Sequence, residues 1–155
     1  VGSVVLFGKK LSKDECIVAL IALRVLMKRL DAGQELAVTT RDVAELGVEK
    51  YGIEIPEDLA EETLEKLASM GIMRRSEKGY YTLTDIAMYV FTSSHSIARK
   101  TDHINLPDTA MQAIAVALAL KSMYSTTQII KTMNTLKSIV KCGFKALEKL
   151  AKNAK

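Results

Sequence analysis

The sequence has no tryptophan, only two prolines, two cysteines and two histidines, and aromatics make up 5% of its 155 residues. Each scarcity removes a class of function. His95 and His103 stand apart, and Cys16 and Cys142 lie far from one another, with none of the paired spacing used by zinc sites or disulfide frameworks. No metal or cofactor is expected, and each cysteine reads as a small buried apolar residue. There is no glycine-rich phosphate loop and no histidine paired with a plausible nucleophile, so the chain is not expected to be an enzyme. The dense carboxylates Glu57, Asp58, Glu61, Glu62 and Glu65 fall at helical spacing and read as a solvated face rather than a general-acid pair. Long apolar runs are also missing. The longest uncharged, largely apolar stretch, residues 109–120, is shorter than the roughly 20 residues a bilayer requires, so no membrane association is expected. The run Val4-Val5-Leu6-Phe7 is too short for a signal-peptide core and has no plausible cleavage site behind it. A cytoplasmic location is the simplest expectation.

What is present is ordinary for a globular chain, with 48% apolar and 26% charged residues. The charge is unevenly placed. Residues 1–100 carry 14 basic and 15 acidic side chains, whereas residues 101–155 carry eight lysines against three acids. The net charge of +4 is therefore C-terminal, which favours an anionic partner.

Local signals divide the chain as follows. Residues 1–11 form an arm or short strand, ended by Gly8-Lys9-Lys10. Ser12 caps a first helix with Asp14 and Glu15 in its opening turn and Gly33 as its stop. Thr39 or Thr40 caps a second, terminated near Gly52. Pro56 opens a third, where its missing N–H costs nothing, and Gly71 ends it. Ile72 to Arg75 and Tyr80 to Leu83 make a hairpin around Gly79, and Thr84-Asp85 caps a fourth helix, ended or interrupted by Ser93 to Ser96. A polar connector, Thr101 to Leu106, leads to a fifth helix over 107–123, which is rich in alanine, uncharged and expected to be buried on most sides. That helix could line a ligand pocket, although core packing accounts for its composition. Ser125 or Thr126 caps a last helix to about residue 151. It has an apolar stripe (Met133, Leu136, Val140, Leu147, Leu150) and a lysine stripe (Lys137, Lys141, Lys145, Lys149).

The run Leu64-x-x-Leu67-x-x-x-Gly71-Ile72, then Arg74-Arg75, then Gly79-Tyr80-Tyr81-Thr82-Leu83-Thr84, resembles the end of the recognition helix and the wing of winged helix-turn-helix proteins, in the style of small archaeal and viral regulators. The resemblance covers about 80 of the 155 residues, from Ser12 to Phe91. It implies a mostly α-helical fold with a small β-hairpin wing over residues 12–100, followed by a two-helix extension over 101–155. The apolar stripe of the last helix, with the alanine-rich helix before it, suggests a homodimer through the C-terminal helices, and flanking-helix dimers are common among winged helix regulators.

The resemblance implies double-stranded DNA as partner, in transcription regulation or in replication and maintenance of a genetic element. Arg74, Arg75 and Lys78 would touch phosphates or the minor groove from the wing. Thr39, Thr40 and Arg41 would hold a phosphate at a helix N-terminus. The groove-facing side of the third helix, however, carries five acids with Lys66 as its only cation, and phosphates repel such a face. Three readings remain open. The first is a dimeric regulator that binds DNA through wings, second-helix N-termini and the lysine face. The second is a protein-interaction module that uses the acidic helix 56–70. The third is a scaffold whose C-terminal lysine face, Lys137, Lys141, Lys145 and Lys149, binds nucleic acid nonspecifically.

Overall fold

Ser12 opens the central helix. The computed structural model describes residues 3–6, 9–98 and 104–153. In it the Ser12 hydroxyl accepts from the Glu15 N–H (3.2 Å), and the Glu15 carboxylate accepts from the Ser12 N–H (2.9 Å). This reciprocal cap satisfies two donors that a helix start would otherwise leave bare. Helix α1 (Lys13–Asp31) buries twelve residues, from Glu15 to Met27, so other elements pack around it on several sides. Ahead of it, β1 (Ser3–Leu6) and β2 (Lys9–Ser12) pair antiparallel, with Val4 opposite Leu11. The arm is thus a hairpin, and Lys9-Lys10 continue it rather than end it. Phe7, expected in the first strand, and Thr101 to His103 of the connector lie outside the described residues.

Next come β3 (Ala37–Val38), α2 (Thr40–Tyr51), α3 (Glu57–Ser69), β4 (Met73–Arg75), β5 (Tyr81–Leu83) and α4 (Asp85–Ala98). The three strands make an antiparallel sheet in the order β3-β5-β4, with Arg74 opposite Thr82 and Val38 opposite Tyr81. Gly79 turns β4 into β5 at φ 86°, a backbone region that side chains avoid. Helix α4 runs without a break through Ser93 and Ser94. Ser94 Oγ donates to the Val90 carbonyl (2.6 Å) and Thr92 Oγ1 to that of Met88 (2.9 Å). These hydroxyls bond back along the helix rather than ending it.

Two expectations about the C-terminal part are corrected. Helix α5 (Ala110–Leu120) is not buried on most sides, because only Val116 and Leu120 are fully buried and one whole apolar side is exposed. Residues 121–124 form a turn rather than continuing the helix. Helix α6 (Thr126–Asn153) lays its apolar stripe along α1. Met133 and Leu136 are buried, while Val140 and Leu147 are half-buried. Most of that stripe closes the chain's own core, while Leu150 at its end stays exposed. Side chains from α1, α3, α4, α5 and α6 belong to one continuous cluster.

The cysteines are also corrected. Cys16 on α1 and Cys142 on α6 form a disulfide, with Cα atoms 5.7 Å apart and 126 residues between them in sequence. Their spacing gave no sign of this because helix packing, not sequence proximity, brings them together. Gly143, the next residue, is buried at the same crossing, where its missing side chain lets α6 press against the Cys16 carbonyl and Leu20. Among the described residues, no helix is long and apolar enough to cross a membrane.

Candidate nucleic-acid interface

The ten residues expected to contact DNA fall on three surfaces, and the fold treats each surface differently. At the start of α2, Thr39 is the cap. Its hydroxyl accepts from the Asp42 N–H (3.1 Å), and its N–H donates to the Asp42 carboxylate (2.9 Å). The same carboxylate pairs with Arg29 at 2.9 Å, and Arg29 also donates to the Ala37 carbonyl. A carboxylate therefore already stands where a phosphate would bind. Arg41 is exposed and pairs with Glu45 at 3.3 Å, one turn along. Thr40 is half-buried beside it.

Lys66 is committed elsewhere. Its ammonium lies 2.8 Å from the buried carboxylate of Glu15 and ties α3 to α1. Withdrawing it would strand that carboxylate, at a cost of about 3–5 kcal/mol. One exposed phosphate contact does not return that much. Burial alone would raise the Glu15 pKa, but the Lys66 contact and the Ser12 N–H outweigh it and hold the carboxyl below its ordinary 4.5. Asp42 follows the same logic. Burial raises it, while Arg29 and the Thr39 cap prevail and hold it below 3.8.

Both carboxyls bind protons more weakly folded than unfolded. Their stabilisation is complete above their ordinary values and is lost as pH falls through the depressed folded ones. The melting temperature is therefore expected to fall from about pH 4.5 downward, and the double variant E15Q/D42N to have a flatter acid limb. Thermal melts across that range check this, and an unchanged acid limb would remove both pairs from the account.

On the hairpin, Arg75 is part of the scaffold. It pairs with Glu65 of α3 at 3.2 Å, and the buried Tyr81 donates its hydroxyl to the same carboxylate at 2.6 Å. Burial and the neighbouring Glu65 push the Tyr81 pKa up to about 12, so the phenol stays protonated and keeps donating. Arg74 and Lys78 are exposed and have no carboxylate partner among the described residues.

The third surface is the outer side of α6. Lys137, Lys141 and Lys145 are all exposed and make no ion pair among the described residues. Lys137 and Lys141 also border a groove of about 450 Å³ lined by Ile104, Leu106, Asp108 and Val140, which α5 does not reach. The acids Glu57, Asp58, Glu61 and Glu62 point to solvent along α3.

Two sites were not legible in the sequence. His95 is not isolated: its Nε2 lies 2.7 Å from Asp31 and its Nδ1 2.8 Å from the Asn105 amide. It thereby ties α4 to the end of α1 and to the segment leading into α5. His103 lies outside the described residues. Arg24 lies 5.5 Å from the Phe144 ring centroid, at the edge of a largely apolar cleft of about 690 Å³ between α2 and α6. Neither arrangement shows a sequence spacing, since each joins elements distant in the chain. Among the described residues no cluster of three or more His, Cys, Asp or Glu side chains could hold a metal. Comparison with known protein families, characterised proteins and solved structures found no match.

Proposed function

We propose that residues 12–98 form a winged helix-turn-helix domain and that the protein binds duplex DNA through its phosphates. The contacts come from Arg74 and Lys78 on the hairpin and from Lys137, Lys141 and Lys145 on α6. The order of helix, strand, helix, helix and hairpin, with β3 returning onto β5, supports the fold reading.

One observation carries the binding reading, namely the uncompensated lysine strip of α6. Like charges one turn apart disfavour a helix by about 0.2–0.5 kcal/mol per pair. No carboxylate forms an ion pair with any of the three among the described residues, so the strip suits an anionic partner. They span about 12 Å of helix, the axial length over which one DNA strand presents roughly three to four phosphates. Base reading by α3 is not part of the proposal, because its outward face is acidic.

An intracellular DNA-binding role for a disulfide-bridged chain requires a cytosol in which structural disulfides persist, as they do in hyperthermophiles.

Fluorescence anisotropy with mixed-sequence duplex tests the reading. Five phosphate contacts predict a log–log salt slope of about −4 to −5, so affinity falls several-hundred-fold between about 50 and 200 mM salt. The variant K137E/K141E/K145E should weaken binding strongly and reduce the slope to about −2. R74E/K78E should remove most of the remainder, and both variants alter only exposed positions. No binding at about 50 mM salt, or an unchanged slope in the α6 variant, would overturn the proposal.

A second reading has its own support. Glu57, Glu61 and Glu62 are exposed and make no ion pair among the described residues, which suits a basic protein surface. If DNA binding fails, this face is the place to look. If DNA binding holds, neutralising the three glutamates should leave affinity unchanged or raise it.

A further inference from the structure

Between α2 and α6 the chain leaves a cleft of about 690 Å³ that its own packing does not fill. Ile53, just past the end of α2, lines one side, and Phe144, Leu147 and Leu150 of α6 line the other. Phe144 and Leu150 stay 38% and 44% exposed there, so apolar surface is left that a ligand would take out of water. A mainly apolar cleft of this volume falls in the range that holds small organic molecules, about 300–1,000 Å³. Its lining residues on α6, from Phe144 to Ala151, span about 10 Å of helix, which suits an aliphatic chain lying along it.

The polar groups of the cleft are few and mostly of one sign. Arg24 of α1 carries its guanidinium 5.5 Å from the Phe144 ring centroid, and the exposed Lys50 of α2 lines the same cleft. Against these two cations stands one acid, the exposed Glu148. The Tyr51 hydroxyl is buried and has no hydrogen-bond partner among the described residues. Burial raises its pKa and the Arg24 charge lowers it, so the two groups are neighbours. A buried hydroxyl in this condition is unfavourable until an acceptor reaches it.

We propose that the cleft binds a medium-chain aliphatic carboxylate, its head group against Arg24 and Tyr51 and its chain along Phe144, Leu147 and Leu150. The excess of cations selects an anionic head over a neutral or cationic one. The Tyr51 hydroxyl selects a head that accepts a hydrogen bond, and the apolar walls select against small inorganic anions, which have nothing to bury. The inference stands apart from the DNA-binding reading, because it uses none of the same residues.

Isothermal titration calorimetry of the full chain with decanoate, kept below its micellar range, tests it. One decanoate should bind per chain, with a Kd of about 10 µM to 1 mM. Decanol and decyltrimethylammonium should bind about tenfold more weakly or worse, since neither offers the charged acceptor. Y51F should weaken decanoate by about tenfold, yet the unliganded variant should melt no lower than the native chain, because it removes a hydroxyl that has no partner. L150E alters an exposed position and sets a like charge beside the ligand. It should weaken decanoate more than about tenfold and leave circular dichroism unchanged. Absence of decanoate binding at about 1 mM overturns the proposal. Equal affinity for decyltrimethylammonium overturns the head-group assignment, and decanoate binding unchanged in both Y51F and L150E overturns the site.

Discussion

Replacing Cys16 and Cys142 with alanine lowers the melting temperature by roughly 10–20 °C. The bridge joins residues 126 positions apart, and closing a loop of that length removes about 5 kcal/mol of chain entropy from the unfolded state. For a domain of this size each kcal/mol moves the midpoint by about 2–4 °C. The effect acts mostly on the unfolded chain, so the variant should keep the native helical circular dichroism at room temperature. Calorimetry of the oxidised chain, the reduced chain and the variant separates the contributions. The last two should agree, and thiol titration of the unreduced protein should find neither cysteine reactive. A loss below about 5 °C would mean that the apolar contact between α1 and α6 holds the helices together with little help from the bridge.

Substituting Gly143 should be destabilising even though alanine is the better helix former. A Cβ at this position would lie 2.5 Å from the Leu20 Cβ and 2.9 Å from the Cys16 carbonyl oxygen. Neither is the end of a flexible side chain, so the helices must part. Helix propensity returns about 1 kcal/mol, and the overpacking exceeds it, for a net loss of about 1–3 kcal/mol on alanine and more on valine. The disulfide resists the same separation. G143A should therefore cost less in the C16A/C142A background, with a coupling of about 1 kcal/mol or more between neighbouring sites. Urea unfolding of the four proteins measures this directly, and a stabilised G143A would show that the helices do not approach this closely.

Much of the architecture was legible because its signals are local. Ser12 and Thr39 cap α1 and α2 through their own side chains and an acid three residues on, so four residues specify each start. Gly79 and the β-branched and aromatic residues after it specify the hairpin in the same way. β3 escaped notice because two residues, Ala37 and Val38, carry no period, and only pairing with β5 makes them a strand. β2 was hidden by Lys9-Lys10, which read as polar punctuation until paired with β1. Helix α5 misled for a different reason. An uncharged helix predicts burial, and the periodicity cannot say whether the cover comes from the same chain.

The candidate site was legible as a set of residues but not as a set of free charges. Arg75, Lys66 and Arg41 look alike in sequence to Arg74 and Lys78, yet Glu65, Glu15 and Glu45 claim the first three. Only the fold brings Glu65 and Glu15 within reach. The lysines of α6 survive as candidates because their own helix carries few acids and the packing leaves their side outward.

By itself the sequence determined where α1, α2 and α3 start and where glycines or a turn end them, where the hairpin turns, and that positive charge gathers toward the C-terminus. Each of these depends on residues within a turn or two of one another. Tertiary structure alone decided that α6 closes over α1, that Cys16 meets Cys142 beside Gly143, and which cations pair with a carboxylate among the described residues. Those outcomes depend on contacts between residues far apart in the chain, where the geometry of packing, and not local propensity, sets which groups meet.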